Sequence, residues 1–363
     1  MSTNTSSFEA TTVVFTYPGS SMPGLKAMAK RYVALDQTDS GSFGLTLVLT
    51  HCIGAFKEIY EPILEKLLKI RVAMEGSSGQ LVPLIREAWS IEWQHHGESA
   101  VLNHPVISRS CDGSGSCCFH TSGSGCHEWV RAVKHFVRSK VSEGHRLVGI
   151  GHSAGACAII SSAVDCLPGE KIPYESIIII EDSLGTRDQW EVERRITERL
   201  LNNIMSGIAK RQTFWPDRQH AHKYLSERMP WKLWDPRILT LYARHALRDA
   251  LPSESDTPMV TLACSVQHEI SAYTYEGMEL YSQAPDHLAA LDPSFDVHMI
   301  YGERHDILSK GFHDSILNCR KMASVQRISG AGHLAVQDNP DGVADAIESA
   351  LYSIISRMPK SRL

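Results

Sequence analysis

Apolar residues recur along this chain in two alternating rhythms. Short, nearly unbroken runs such as Leu45–Thr50 (LTLVLT) and Ser176–Ile180 (SIIII) have the length of strands buried on both faces. Residues 11–17, 27–35, a stretch near 88–93, 146–150, 296–301 and Ser324–Ile328 read as further strands. Between them the period lengthens. Ile63, Leu64, Leu67 and Leu68 form one helical stripe within residues 61–70, and Pro62 suits a first turn. Residues 129–137, a small-residue segment ending near Val164, and residues 344–355 share that spacing. Residues 109–126, rich in Gly, Ser and Cys, read as a surface loop. This alternation predicts an α/β fold, a mostly parallel sheet with helices on both faces. From Ser183 to Pro293 the strand rhythm stops, and a Trp- and Arg-rich, mostly helical pattern replaces it. The expected organisation is a core of residues 1–183 and 292–363 with residues 184–291 inserted as a helical lid.

Composition narrows this picture without changing it. The chain has 363 residues, 43% hydrophobic and 21% charged, enough for one large domain with an insertion. A net charge of −5 gives no general attraction to nucleic acid or to membrane surfaces. No apolar run approaches the roughly 20 residues that span a bilayer. The N-terminus lacks the basic and apolar regions of a secretory signal. Nine scattered cysteines, an odd number, suit a reducing compartment better than a disulfide framework. Cys111, Cys117, Cys118, Cys126 and His127 cluster, but the adjacent Cys117-Cys118 pair does not match zinc spacing, so no metal is expected there. Neither GxGxxG nor GxxxxGK[ST] occurs, so no nucleotide cofactor is expected. The C-terminal Ser361-Arg362-Leu363 is a variant of the Ser-Lys-Leu peroxisomal address.

Catalytic chemistry enters at Gly151-His152-Ser153-Ala154-Gly155, which fits Gly-x-Ser-x-Gly between a predicted strand and a predicted helix. The small residues two before and two after the serine let the helix pack close to the strand. A serine hydroxyl needs a base. His333, in the Gly-rich stretch after the strand Ser324–Ile328, has the expected chain order and position. Two positions could supply the acid behind it. One is Glu181 or Asp182, closing IIIIED; the other is Asp306, or Glu303, in YGERHDIL. Oxyanion donors are expected from the backbone N–H of Ala154 and of Ile53, with Cys52 as second choice for the latter. Cys52 stands where a glycine usually follows this histidine.

At this point the chain resembles the fungal peroxisomal α/β-hydrolases of secondary metabolism, which include toxin-biosynthesis hydrolases and the acyl-CoA hydrolase of the mycophenolic acid pathway. The similarity covers LTHCIGAFKEIYEPILEKL, LVGIGHSAG, IIIIED and GAGHL. Its most specific parts lie within the insertion, FWPDR and WDPRILTLYARHALRDALP. The resemblance implies an α/β-hydrolase fold with Ser153, His333 and an acid at the position of Glu181, where the family has Asp. It implies a peroxisomal location, recognition of the C-terminus by the import receptor, and hydrolysis of a small acyl substrate, an acyl-CoA thioester. Residues 184–250 hold thirteen Lys or Arg against eight Asp or Glu, a charge of +5 that suits the phosphates of coenzyme A. A carboxylester hydrolase or lipase that ignores coenzyme A, and a silent binding module of the same fold, are the alternatives.

Overall fold

The continuous apolar runs become the centre of one twisted sheet. The computed structural model describes residues 7–36, 44–73, 81–108, 125–164 and 171–358. Its main strands are β1 (Phe8–Phe15), β2 (Ala27–Ala34), β3 (Leu45–Thr50), β4 (Ile85–Glu92), β5 (Leu147–His152), β6 (Ser176–Ile180), β7 (Val297–Gly302) and β8 (Ser324–Ile328). They lie in the order β1-β2-β4-β3-β5-β6-β7-β8. β2 runs antiparallel to both its neighbours, and every pairing from β4 to β8 is parallel. The architecture is a mostly parallel sheet with helices on both faces, as the alternation of rhythms predicts.

Side chains of the central strands divide between two cores. Ile178 and Ile180 of β6 enter one, Ile177 and Ile179 the other; Leu47 and Leu49 of β3 oppose Val48 in the same way. This is the period-two alternation of strands covered on both faces. The helices Glu61–Leu67 and Pro340–Arg357 close the first core with Ile63, Leu64, Ile347 and Leu351. Cys126–Ser142 and Ala154–Val164 close the second with Trp129, Val133 and Ile159.

The segment between β6 and β7 holds six α-helices, beginning with Arg187–Val192 and ending with Tyr275–Ala290. It also holds a small antiparallel sheet, in which Val260–Leu262 pairs with Leu247–Asp249 and with Phe214–Trp215. Strands this short carry no readable period, so the sequence pattern shows only helix there. The last of these helices returns to the core, where Leu280, Tyr281, Ala284 and Leu288 join the second cluster. The helix Gly97–Ile107 is likewise absent from the expectations. It opens on Gly97, contains Pro105, and has no apolar face. Cys126 opens the helix Cys126–Ser142 rather than closing a loop, with His127 in its first turn. Cys111, Cys117 and Cys118 lie outside the described residues. Among the described residues no helix is long and apolar enough to cross a membrane.

Two glycines set the distance between β5, β3 and the following helix. A Cβ on Gly151 would sit 2.5 Å from the Gly155 carbonyl oxygen, and one on Gly155 would sit 2.2 Å from the Thr50 carbonyl oxygen. These neighbours are backbone and cannot swing aside. Gly155→Ala is therefore expected to destabilise by about 3 kcal/mol, the upper end for forced overpacking. An unchanged denaturant midpoint would contradict this close approach.

Candidate active site

Neighbouring strand ends bring the predicted residues to one edge of the sheet. Thr50 pairs with Gly151, His152 with Ile180, and Ile180 with Ile300, so the residues after β5 and β6 emerge together. The Ser153 N–H donates to Ile180 O at 3.1 Å, and the Glu181 N–H donates to Ile300 O at 2.9 Å. Both residues adopt left-handed backbone, with φ of +55° and +42°, and they are the two non-glycine residues with positive φ among those described. Such a conformation costs about 1–3 kcal/mol and persists only where the surroundings enforce it. Here the ladder bonds and the close approach at Gly151 and Gly155 enforce it at Ser153.

His333 arrives from the loop after β8. Its Nε2 lies 2.9 Å from Ser153 Oγ, and its Nδ1 lies 3.3 Å from Glu181 Oε2. One neutral tautomer satisfies both contacts. Nδ1–H donates to the carboxylate, and the Nε2 lone pair accepts from the serine hydroxyl. The loop is held twice more at the same residue. Its backbone N–H donates to Asp306 Oδ1 at 2.9 Å, and its carbonyl oxygen accepts from His152 Nε2–H at 2.8 Å. Burial and the neighbouring His333 lower the pKa of His152 to about 3, so it serves as a neutral brace.

The four candidate carboxylates have separate partners. Glu181 Oε1 accepts from the Gly302 N–H, and Oε2 faces His333 and, at 3.5 Å, His313 Nε2. The second contact is electrostatic rather than a hydrogen bond, being longer than the usual range. The His313 ring stacks on Tyr301 with centroids 4.0 Å apart. Burial alone would raise the Glu181 carboxyl, but His313 and His333 outweigh it and hold the group well below the usual carboxylate range. Glu181 is thus a buried anion between two imidazoles. Asp182 points elsewhere, accepting from Tyr301 OH at 2.8 Å and from the Leu184 N–H at 3.0 Å. Asp306 holds the backbone of His333 rather than its ring. Glu303 accepts from the Ser329 hydroxyl and the Gly330 N–H.

Burial pushes the Asp182 pKa up to about 6, from an ordinary value of 3.8. Folding therefore favours its protonated form. This contribution is fully present below pH 3.8 and is lost as pH rises through about 6. The difference between the ordinary and the folded value corresponds to about 3 kcal/mol. The stability difference between wild type and Asp182→Asn should fall by about that much between pH 4 and 7 in denaturant melts. A pH-independent difference would contradict it.

The proposed oxyanion loop, residues 51–54, is tightly tied. His51 Nδ1–H donates to Cys52 O at 2.8 Å, and His51 Nε2 accepts from the Trp93 N–H at 3.1 Å. The Gly54 N–H donates to His96 Nε2 at 2.9 Å, and Cys52 Sγ accepts from Gln337 Nε2 at 3.1 Å. The N–H groups of Ile53 and Ala154 have no protein acceptor among the described residues. Cys52 therefore fits this position as a buried small apolar residue, 2% exposed. Sequence reasoning missed Ser183, whose Oγ lies 2.7 Å from Ser153 Oγ. Its one visible signal is its place two residues after Glu181. Ser361, Arg362 and Leu363 lie outside the described residues.

Residues 47–346 match the alpha/beta hydrolase family, and the chain belongs to it. Among individual proteins it is similar to the type I acyl-CoA thioesterase mpaH of Penicillium brevicompactum. The two are 24% identical over 286 residues, which cover 76% of this chain and 59% of that protein. It is also similar to the abhydrolase domain-containing protein AFT2-1 of Alternaria alternata, 27% identical over 128 residues, or 35% of this chain. That match spans 44% of the relative's length, so the chain covers less than half of it. Among solved structures, the peroxisomal alpha-beta-hydrolase Lpx1 of Saccharomyces cerevisiae superposes with a TM-score of 0.70 at 16% identity. The superposition covers 98% of this chain and 92% of the yeast protein, and speaks for the fold alone.

Proposed function

We propose that this hydrolase cleaves an acyl-CoA thioester through Ser153, His333 and Glu181. The observation that carries the proposal is the unbroken contact from Ser153 Oγ through the His333 ring to Glu181 Oε2, compatible with one neutral tautomer. In the proposed reaction His333 Nε2 takes the hydroxyl proton as Ser153 Oγ attacks the acyl carbonyl. Glu181 stabilises the imidazolium, and the Ile53 and Ala154 N–H groups receive the oxyanion. His333 returns the proton to the departing thiolate. Water, deprotonated by the same imidazole, then hydrolyses the acyl-enzyme and restores Ser153.

Two observations favour a thioester of coenzyme A over a simple ester. The relative mpaH is named as an acyl-CoA thioesterase. The inserted helices also bear positive charge free for phosphates. Arg194, Arg211, Arg237 and Arg248 are engaged with acids. The exposed Arg195, Arg199, Lys210, Lys223, Lys232 and Arg244 have no ion pair among the described residues. The final Ser361-Arg362-Leu363 suits import into peroxisomes through the receptor for such C-termini, and the likeness to fungal relatives suits secondary metabolism, toxin biosynthesis included. The test is release of free coenzyme A from an acyl-CoA panel, set against matched oxygen esters with free coenzyme A as competitor. Preferential thioester cleavage with competition is expected. Equal turnover of the ester without competition would favour the carboxylester hydrolase or lipase instead.

A further inference from the structure

Behind the 51–54 loop, two adjacent histidines after β4 meet a cysteine from the inserted segment. One ligand atom from each of His95, His96 and Cys264 lies within 4.8 Å of the others. Their exposures are 1%, 0% and 8%. Among the described residues, neither ring nitrogen of His95 has a hydrogen-bond partner, and His96 Nδ1 has none. Every neutral imidazole carries one N–H donor and one lone pair, so this pocket buries polar atoms that none of the described residues satisfies. The nearby Arg211 guanidinium is paired with Glu269 and so brings little net positive charge.

We propose that His95, His96 and Cys264 form a zinc(II) site whose occupancy controls the 51–54 loop. Two imidazoles with a thiolate are a donor set suited to zinc. Binding displaces the thiol proton to solvent: Zn²⁺ joins the Cys264 sulfur as one H⁺ leaves, and both imidazoles contribute lone pairs. Zinc–nitrogen and zinc–sulfur bonds together span about 4.4 Å end to end, so the three side chains draw inward on binding.

The link to the loop follows from a count of lone pairs. His96 Nε2 already accepts from the Gly54 N–H, and a neutral imidazole has one lone pair in its plane. Ligation through Nε2 takes that lone pair from Gly54. Ligation through Nδ1 moves the ring proton to Nε2, where it meets the Gly54 N–H donor. By either route the Gly54–His96 hydrogen bond is lost. Gly54 follows Ile53, so zinc is expected to displace an oxyanion donor and slow turnover; this last step rests on the function proposed above.

The test uses the full chain stripped with a chelator. Equilibrium dialysis against zinc should give one metal per chain, with at least ten-fold weaker retention in Cys264→Ser and in His95→Gln. Cobalt(II) should produce a thiolate charge-transfer band that Cys264→Ser lacks. Equal metal retention by wild type and both folded variants would overturn the site. For the link, the Gly54 amide resonance should move on zinc addition in wild type and stay in Cys264→Ser, whatever the activity of the protein. A bound zinc that leaves that resonance in place would overturn the link. Zinc that moves the resonance yet leaves acyl turnover unchanged would instead count against Ile53 as an oxyanion donor.

Discussion

Replacing Ser153 with alanine is expected to lower acyl-CoA turnover by about 10⁴- to 10⁶-fold, the range seen when a triad nucleophile is removed. The loss should fall in kcat, because the proposed nucleophile forms the bond that defines the reaction. The fold should survive. Ser153 is 4% exposed and its hydroxyl has two side-chain partners, Nε2 of His333 and Oγ of Ser183. Those two can approach each other or bind water when the oxygen goes. The left-handed turn is already imposed on a residue with a Cβ, so alanine adds no new backbone conflict there. Labelling with a fluorophosphonate gives the same answer without knowledge of the acyl group. Folded wild type should be labelled and Ser153→Ala should not. Unlabelled, folded wild type would remove the nucleophile assignment and leave a silent binding module of the same fold.

The sheet was legible because its strands are unmistakable in the chain. Leu45–Thr50 and Ser176–Ile180 are nearly unbroken apolar runs, and every residue in them is buried. The meeting of Ser153 with His333 was legible because a residue in a strand-to-helix turn and one in the loop after the last strand are carried to the same edge of the sheet. Which carboxylate faces the His333 ring was not, on the residues alone. Glu181 and Asp182 are consecutive, and alternation at a strand end sends one towards His333 and the other towards Tyr301. Which goes where depends on register with β7, through the Glu181 N–H to Ile300 O bond. Asp306 looked equivalent because it does reach His333, yet it reaches the main chain. The family resemblance pointed to the position of Glu181 for a reason the residues did not contain. The meeting of His95 and His96 with Cys264 was invisible for a related reason. It joins segments far apart in the chain, and no local pattern records the encounter.

Replacing Glu181 with glutamine is expected to cost about 10⁴-fold in kcat, while Asp306→Asn stays within a few-fold of wild type. The argument lies in the direction of one proton. Glu181 accepts the Nδ1–H of His333, which leaves Nε2 free to take the Ser153 proton. A glutamine amide can turn its NH₂ towards Nδ1, and the ring proton then moves to Nε2. That tautomer cannot act as a base for Ser153. The charge that would stabilise the imidazolium is lost as well. Nearby Gly302 and His313 do not restore it, since they contact the same carboxylate. Asp306→Asn keeps an oxygen for the His333 N–H, so the loop anchor at 2.9 Å survives. Glu181→Asp separates the two demands. It keeps the charge but withdraws the carboxylate from an Nδ1 already 3.3 Å away. An intermediate rate is expected, because the negative charge still favours the correct tautomer through a longer contact. Abolished turnover in Asp306→Asn with a near-normal rate in Glu181→Gln would move the acid to the other strand.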